Sequence, residues 1–465
     1  MTRNFFNNFN SIIEMQRRDF FRNAAAGALG LGAHSILNAA PDIEKTGIAD
    51  TYDVVVIGGG TAGTVAAIQA GRLGAKTLVI ESGSQLGGTM TTGGVNFPGL
   101  FHAWGNQIIA GIGWELVSKT VLMHGDSFPD FKAENLRHWK YQVKLNEYLY
   151  ACLAEEAALD AGVDLLYYSF PLEITENSGD AYWRIKVASR NETFDIGAKQ
   201  IIDCSGSAAA ASLAGFERMK ESETQPGTLI FGISNYDFEA LDKESLKKEY
   251  RAALKTGELE SSDFWISIVG ALKDGGFNCQ HTIGANSSTS KLQTRTNIEA
   301  RKSFMRIFRF LKRQKGLENL KIDYVKTEAG VRETYRVVGE TIITAEDYVC
   351  AKVYPDSLCH SFYPIDLHTH NTVKPRMLER GKVPCVGLSA MVPKGARNML
   401  VAGRCVSSDR LANSALRVQA SCMAMGQAAA VAASLAAREG KSPSEIDAGK
   451  IRAVLKEHNA IVPNV

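Results

Sequence analysis

Short, unbroken apolar runs recur along this chain, and the most prominent of them lead straight into glycines. Residues 52–58, "YDVVVIG", read as a buried strand, followed by a helix over 61–73 and a second parallel strand at 76–81, "KTLVIE". An apolar run of this kind suits a strand covered on both faces, as in a parallel sheet flanked by helices. A glycine-rich loop covers 83–99. A long helical stretch is predicted over 137–161, leading through "AGVDLLYYS" into another strand. Residues 183–206, "WRIKVASRNETFDIGAKQIIDCSG", read as a hairpin feeding a buried strand that ends at Asp203. From about 225 to 390, short strands mix with two charged helical stretches and no nucleotide signature occurs. "NMLVAGRC" (398–405) returns to the buried-strand pattern, and a helix of small residues is predicted near 417–437.

Gly58, Gly60 and Gly63 satisfy G-x-G-x-x-G directly after a strand and before a helix. The first permits a tight turn, the second lets backbone approach a pyrophosphate, and the third allows close helix–strand packing. Thr61 and Ala62 sit at the helix N-terminus, whose dipole favours an anion. Glu81 ends the second strand, where a carboxylate can accept a ribose hydroxyl. Strand, glycines, helix, strand and acid in register make a dinucleotide site, but they do not separate NAD from FAD. Distant segments do. A second glycine pair, Gly87-Gly88, follows Glu81; "IIDCSG" and "MLVAGRC" then place further glycines at strand ends in mid-chain and near the C-terminus. A short NAD domain is complete by mid-chain, whereas FAD is long and draws contacts from distant segments.

Composition narrows the class. The 465 residues are 45% hydrophobic and 22% charged, enough for a sizeable core. The formal net charge of +2 arises within residues 1–40, so the remaining chain is neutral and gives no electrostatic case for nucleic acid. In that N-terminal stretch "QRRDFFR" precedes "NAAAGALGLGA", a run too short to cross a bilayer but fitting the apolar region of an export signal. Arg17-Arg18 with two phenylalanines behind them resembles a twin-arginine leader, which implies export of a folded, cofactor-loaded protein through that machinery to the periplasm. The eight cysteines include no CxxC pair, and most lie in apolar strings, where buried inert thiols are expected. Residues 418–437 carry no charge, yet they are mostly alanine, which suits a buried helix better than a membrane span. "RKSFMRIFRFLKRQK" (301–315) puts Phe304, Ile307, Phe308 and Leu311 on one face of a core-facing helix, with cations on the other.

Taken together, "YDVVVIGGGTAGTVAAIQAGRLGAKTLVIE", "LGGTMTTGG", "IIDCSGSAAAASLAG", "RETYRVVGE", "YPIDLHTH" and "NMLVAGRCVSSDRLANSALRVQASCMAMGQAAA" resemble the FAD-dependent oxidoreductases of the glutathione-reductase-like, two-domain kind. The resemblance spans about residues 52–437. It implies FAD as the cofactor, with Gly58, Gly60, Thr61, Ala62 and Gly63 at the pyrophosphate and Glu81 and Ser82 at the adenosine ribose. It further implies Gly88 and Thr89 beside the phosphate–ribityl part, Asp203, Ser205 and Gly206 in a second strand-end motif, and Gly403, Arg404 and Arg417 toward the flavin. Two positions depart from the pattern: Ser207 stands where Asp is common, and Tyr335 where a basic residue is usual. The expected fold is α/β, a Rossmann-like FAD-binding domain with an inserted mixed α+β substrate domain. Its segments are an export signal at 1–40, FAD-binding parts at 52–225 and 391–440, an insert at 226–390 and a tail at 441–465.

The densest polar cluster outside the nucleotide motifs is "CHSFYPIDLHTH" (359–370). In an extended segment Asp366, His368 and His370 share a face. His368 is the expected base for a substrate proton, Asp366 its companion, and Arg332 in "VRETYR" a clamp for carboxylate or hydroxyls. The same three-residue face also admits metal binding, and Arg332–Glu333 also reads as a structural pair. "FPGLFHAWG" (97–105) brings aromatic residues and His102 toward the second glycine loop. No second G-x-G-x-x-G follows a strand, so electrons are expected to leave for a quinone, a periplasmic carrier or oxygen. The expected reaction is hydride transfer from a small-molecule substrate to the flavin; a carbohydrate-derived substrate is suggested by the resemblance alone. An alkene reductase, an RNA-modifying flavoprotein and a non-catalytic flavin-binding protein are the rival readings.

Overall fold

The computed structural model describes residues 50–465, apart from positions 135, 178, 180, 370–372 and 374. The export-signal reading and His370 therefore lie outside the described residues. Residues 50–465 form one unit by contact.

Seven strands make the main sheet: β1 (Thr51–Ile57), β2 (Thr77–Ile80), β3 (Val163–Leu166), β4 (Phe170–Glu176), β5 (Trp183–Ala188), β6 (Thr193–Asp203) and β7 (Met399–Val401). Their order is β3–β2–β1–β6–β5–β4, with β7 also beside β6. β1, β2, β3, β6 and β7 run parallel, whereas β4, β5 and the first half of β6 form an antiparallel meander. β6 changes partner along its length. Thr193 to Ala198 pair with β5, and Ile201 to Asp203 pair with β7. This exchange brings Ile57, Asp203 and Val401 abreast, because Asp203 is in register with both others. The carboxyl ends of parallel strands are where such sheets take ligands.

Among the helices that accompany the strands are α1 (Thr61–Arg72), α2 (Ile112–His124), α3 (Glu147–Asp160), α4 (Lys243–Thr256), α5 (Ser290–Lys312), α6 (Arg410–Leu416) and α7 (Gln419–Glu439). α7 packs on α1 through small residues: a side chain on Gly426 would come within 2.2 Å of the Ala62 carbonyl oxygen. It has the length and apolar composition to cross a membrane, but 94% of its apolar window is buried inside the protein. α7 is therefore described as a buried core helix.

One predicted helix is corrected. The helix expected over 137–161 begins only at Glu147, after a short 3₁₀ turn at His138–Tyr141. Asn146 caps it by accepting from the Tyr148 and Leu149 amides. Before the cap, Val143 and Leu145 are buried around an exposed Lys144, a two-residue period that the helical reading overlooked. The helix expected near 417–437 is present as α7, Gln419–Glu439, and the separate helix α6 precedes it, divided from it by the extended Val418.

The segment between the nucleotide motifs builds a second apolar core. Antiparallel strands at Phe231–Ser234 and Lys321–Val325 carry Phe231 against Phe304 of α5, with ring centroids 4.8 Å apart. Leu246, Ile307, Phe310 and Leu311 complete its centre. The apolar face expected of α5 is thus buried at Phe304, Ile307 and Leu311, with Phe308 half-buried. Six cysteines are buried, as the apolar strings implied; Cys152 and Cys350 are exposed.

Candidate functional site: a glycine cradle beside a buried polar cluster

The cradle is built from backbone. Gly58 turns at φ +98°, and a side chain there would strike the Cys204 carbonyl at 2.7 Å. A side chain at Gly63 would lie 1.8 Å from the Gly58 carbonyl oxygen, so the third glycine is required for helix and turn to pack. Gly60 differs: a side chain there would meet nothing within 4 Å. Open space beside Gly60, at the start of a helix with no side-chain cap, is what a pyrophosphate needs. The second glycine loop lies alongside, with the Gly87 amide donating to the Gly59 carbonyl at 2.8 Å and a Gly60–Gly87 bridge. Glu81 joins the two loops by accepting from the Gly59 and Gly83 amides, each at 2.6 Å. A carboxylate has lone pairs left for ribose hydroxyls after two such bonds. Ser82 donates to Glu81 at 3.2 Å. These residues fit the adenosine diphosphate part of FAD.

Other predicted cofactor residues act on the protein itself. The Asp203 carboxylate accepts from the Ser205 and Ala211 amides, capping the short helix Ala209–Leu213. Arg404 donates to the Gly206 carbonyl at 2.9 Å and to the Val331 carbonyl, so its guanidinium ties the two strand-end motifs to the insert. Ser207 spends its amide on Ser205 Oγ. Tyr335 stacks under Arg218 and Lys220, with the cations 4.1 and 4.7 Å from the ring centre.

The insert's return segment lines the cradle; its part before "RETYRVVGE" carried no motif in the sequence reading. Buried Lys326 pairs with Glu147 at 2.7 Å, and Asn96 donates to the same carboxylate. Burial, then the Glu81 charge, raises the Glu328 carboxyl above its ordinary value, which places Glu328 near the adenosine end. A side chain on Gly330 would lie 3.4 Å from Thr89, and Thr334 donates to the Gly206 carbonyl at 3.0 Å.

Beyond the cradle, side chains from five separate stretches converge. Isolated bridges Ile365–Arg376 and His368–Val373 hold the Asp366 segment extended. Asp366 and His368 consequently share a face, and His368 Nε2 lies 3.1 Å from Asp366 Oδ2. On its other side, His368 Nδ1 lies 3.2 Å from His281 Nε2, and His281 stacks flat on Trp265. Gln225 accepts from the His368 amide at 3.1 Å and from Arg417 at 3.4 Å, and buried Glu333 orients it by accepting from both its nitrogens. Glu333 pairs with Arg410 at 3.0 Å rather than with Arg332, while Arg336 pairs with Glu221. Arg332 instead donates to the Pro226 carbonyl and to Thr228. His281 and Gln225 carried no motif; for His281, "CQHT" (279–282), polar residues inside an apolar context, was the available signal.

Charge in this cluster is unbalanced. Burial opposes ionisation of Asp366, but His368, Arg417 and Arg332 hold its carboxyl below the ordinary value. Burial, then Arg332, pushes His368 down to about 4, so its ring is neutral at neutral pH. Burial, then Arg417, pushes the Arg332 guanidinium down to about 9. A guanidinium stays protonated, so Arg332 remains a buried cation beside Arg417. Arg417 reaches Asp366 only at 4.0 Å, and its buried Nε has no hydrogen-bond partner among the described residues. Two cations face one carboxylate.

A family model described as FAD dependent oxidoreductase matches residues 53–455. Among curated proteins, a nicotine dehydrogenase of Pseudomonas putida is 35% identical over 151 residues, 26% of this chain and 31% of that protein. A dihydrolipoyl dehydrogenase of Bacillus subtilis is 60% identical over 42 residues, 9% of each. The chain therefore spans less than a third of the length of either relative. Among solved structures, a geranylgeranyl bacteriochlorophyll reductase-like protein of Thermoplasma acidophilum aligns over 88% of this chain and 84% of its own, at 16% identity and TM-score 0.40. A p-nitrophenol 4-monooxygenase of Pseudomonas putida aligns over the same shares at 14% identity and TM-score 0.39. With a family match over most of the chain and a glycine cradle that fits its cofactor, the protein is an enzyme of the FAD-dependent oxidoreductase family.

Proposed function

We propose that this enzyme is a flavin dehydrogenase or oxidase that takes a hydride from a C–H bond of a small molecule and a proton from the adjoining O–H or N–H. Bound FAD supplies the two-electron acceptor. The observation that carries the reading is the buried chain Asp366–His368–His281 beside Arg332 and Arg417. With Nε2–H donated to Asp366 and Nδ1 accepting from His281, both nitrogens of His368 are engaged. Asp366, ionised and with an oxygen to spare, is therefore the proton acceptor, and His368 is the positioning residue that holds it. This moves the base from His368, the sequence expectation, to its neighbour. Balance requires two electrons and two protons, one carried with the hydride and one taken by Asp366, to leave for an acceptor, which we take to be of the quinone, periplasmic-carrier or oxygen class. The excess positive charge of Arg332 and Arg417 stabilises negative charge developing in the site, since preorganised charges in a dry site need no reorganisation.

The test is the visible spectrum of protein purified without added cofactor, followed by anaerobic addition of candidate donors. We expect flavin bands, their release on denaturation and bleaching by a donor that leaves Asp366→Asn protein yellow. A colourless protein that cannot be reconstituted with FAD, or equal bleaching of both forms, overturns the proposal. The twin-arginine reading is tested apart: residues 1–50 fused to a reporter should export it, and Arg17→Lys with Arg18→Lys should stop export.

A further inference from the structure

One cavity on the polar cluster's flank is left unused by the reaction as described. It has a volume of about 300 Å³ and lies between the segment following the second glycine loop, the stretch carrying Phe131, His138 and Tyr141, and the side chains of Phe362, Pro364 and Met377. Its walls include His102, Trp104, Phe131, His138, Tyr141 and Phe362. These rings are already arranged in pairs. His102 stacks on Phe131 at 3.7 Å with planes 9° apart, and Trp104 meets Phe362 edge to face at 5.0 Å. Its volume is at the lower end of the roughly 300–1,000 Å³ usual for ligand sites, which suits a molecule of one or two rings.

The cavity is continuous with the site by contact. The His138 ring meets the Tyr363 ring edge-on at 5.3 Å, and Gln142 donates to the Tyr363 hydroxyl at 2.6 Å. Asp366, Arg417 and Arg332 all act electrostatically on that hydroxyl, so the cluster lies close behind it. Leu100 lines the cavity, and its neighbours Pro98 and Gly99 pack on the start of α7, where the Pro98 carbonyl accepts from the Ala420 amide at 2.8 Å. The flavin end is expected beside that helix start.

Polarity selects the ligand. Burial pushes His102 down to about 4 and also lowers His138, against the smaller opposing effect of Asp366. Both imidazoles are therefore neutral at neutral pH, and His102 Nδ1 is buried with no hydrogen-bond partner among the described residues. The charged lining residues Lys132, Glu134 and Arg380 are exposed. A polyol would have to draw its partners largely from these exposed groups, which water already solvates. An aromatic ring instead finds faces to stack on and edges to meet.

We infer that this cavity is the substrate subsite and that it takes an uncharged, planar aromatic or heteroaromatic molecule of one or two rings, not a carbohydrate. The inference rests on the reading of the polar cluster as the reacting site. Binding, unlike turnover, tests it without depending on the flavin. Indole serves as the aromatic probe and methyl glucoside as the polyol, each followed by saturation-transfer NMR on the protein as purified. We expect indole to bind and its Kd to rise about tenfold or more in Trp104→Ala and in the cavity-filling Ala133→Trp. Unchanged flavin absorbance and thermal midpoint in Ala133→Trp show that the variant has folded. No indole binding, an unchanged Kd in a folded Ala133→Trp, or tighter binding of methyl glucoside than of indole overturns the inference. A colourless protein that still binds indole here removes the flavin reading and keeps the subsite.

Discussion

The glycine cradle and the polar cluster lie in one enzyme but are made in opposite ways. In the cradle the chemistry belongs to backbone, and side chains are excluded: Gly58 and Gly63 have no room for a methyl group, while Gly60 faces open space. In the cluster the chemistry belongs to side chains, and Gln225, His281, Arg332 and Arg417 come to the Asp366–His368 pair from stretches far apart in sequence. The difference teaches where each function is vulnerable. The cradle fails when a side chain is added, and the cluster fails when one is removed.

The sharpest way to break this contrast is to add one methyl group to the cradle. Gly63→Ala sets a Cβ 1.8 Å from the Gly58 carbonyl oxygen. We expect flavin content, read as the ratio of 450 to 280 nm absorbance, to fall at least tenfold. Normal flavin content would show that the first turn does not hold the cofactor. The complementary change belongs to the cluster. Asp366→Asn keeps the shape but removes the charge, and turnover should fall by about 10²–10⁴-fold, the usual worth of a positioned base, with flavin content retained. Loss of flavin together with turnover would mean that cradle and cluster are not separable.

Acid should sharpen the comparison by a smaller amount. The folded His368 ring protonates at about 4, below its ordinary value of 6.5. Between those values the unfolded chain binds the proton and the folded chain does not. Stability is therefore present above about pH 6.5 and is lost as pH falls toward 4, by up to a few kcal/mol. Thermal midpoints measured across this range should decline less in His368→Gln than in the parent protein; parallel curves would remove His368 as the source. The smallest effect is expected at Tyr335, where Arg218 and Lys220 rest on the ring. Tyr335→Ala should cost about 0.5–1 kcal/mol in chemical denaturation and leave flavin content unchanged. Lost flavin there would make the departure from the family pattern a functional one.

Much of the cradle was legible because its requirements are local. A turn with positive φ, a close carbonyl and an uncapped helix start all fall within 57–63, so consecutive residues record them. The hairpin ending at Asp203 was legible for a similar reason, since adjacent strands pair through a short connection. The pairing of Asp366 with His368 also followed from a period of two. The misread helix at 137–161 shows the limit: Asn146 is a strong cap, but the apolar positions before it fit either period until burial separates Val143 and Leu145 from Lys144.

What the sequence determined by itself was the strand–glycine–helix unit, the acid at Glu81, the small-residue helix packed on α1 and the neutral body of the chain. Tertiary structure alone decided that β6 would exchange β5 for β7 and so bring three strand ends abreast. It also decided that α6 and α7 would break at Arg417, turning that guanidinium toward Asp366, and that His281 would meet His368. The physical reason is range. Backbone conformation and close packing within a turn are set by neighbours in the chain, whereas a buried charge finds its partner only after distant strands have chosen theirs.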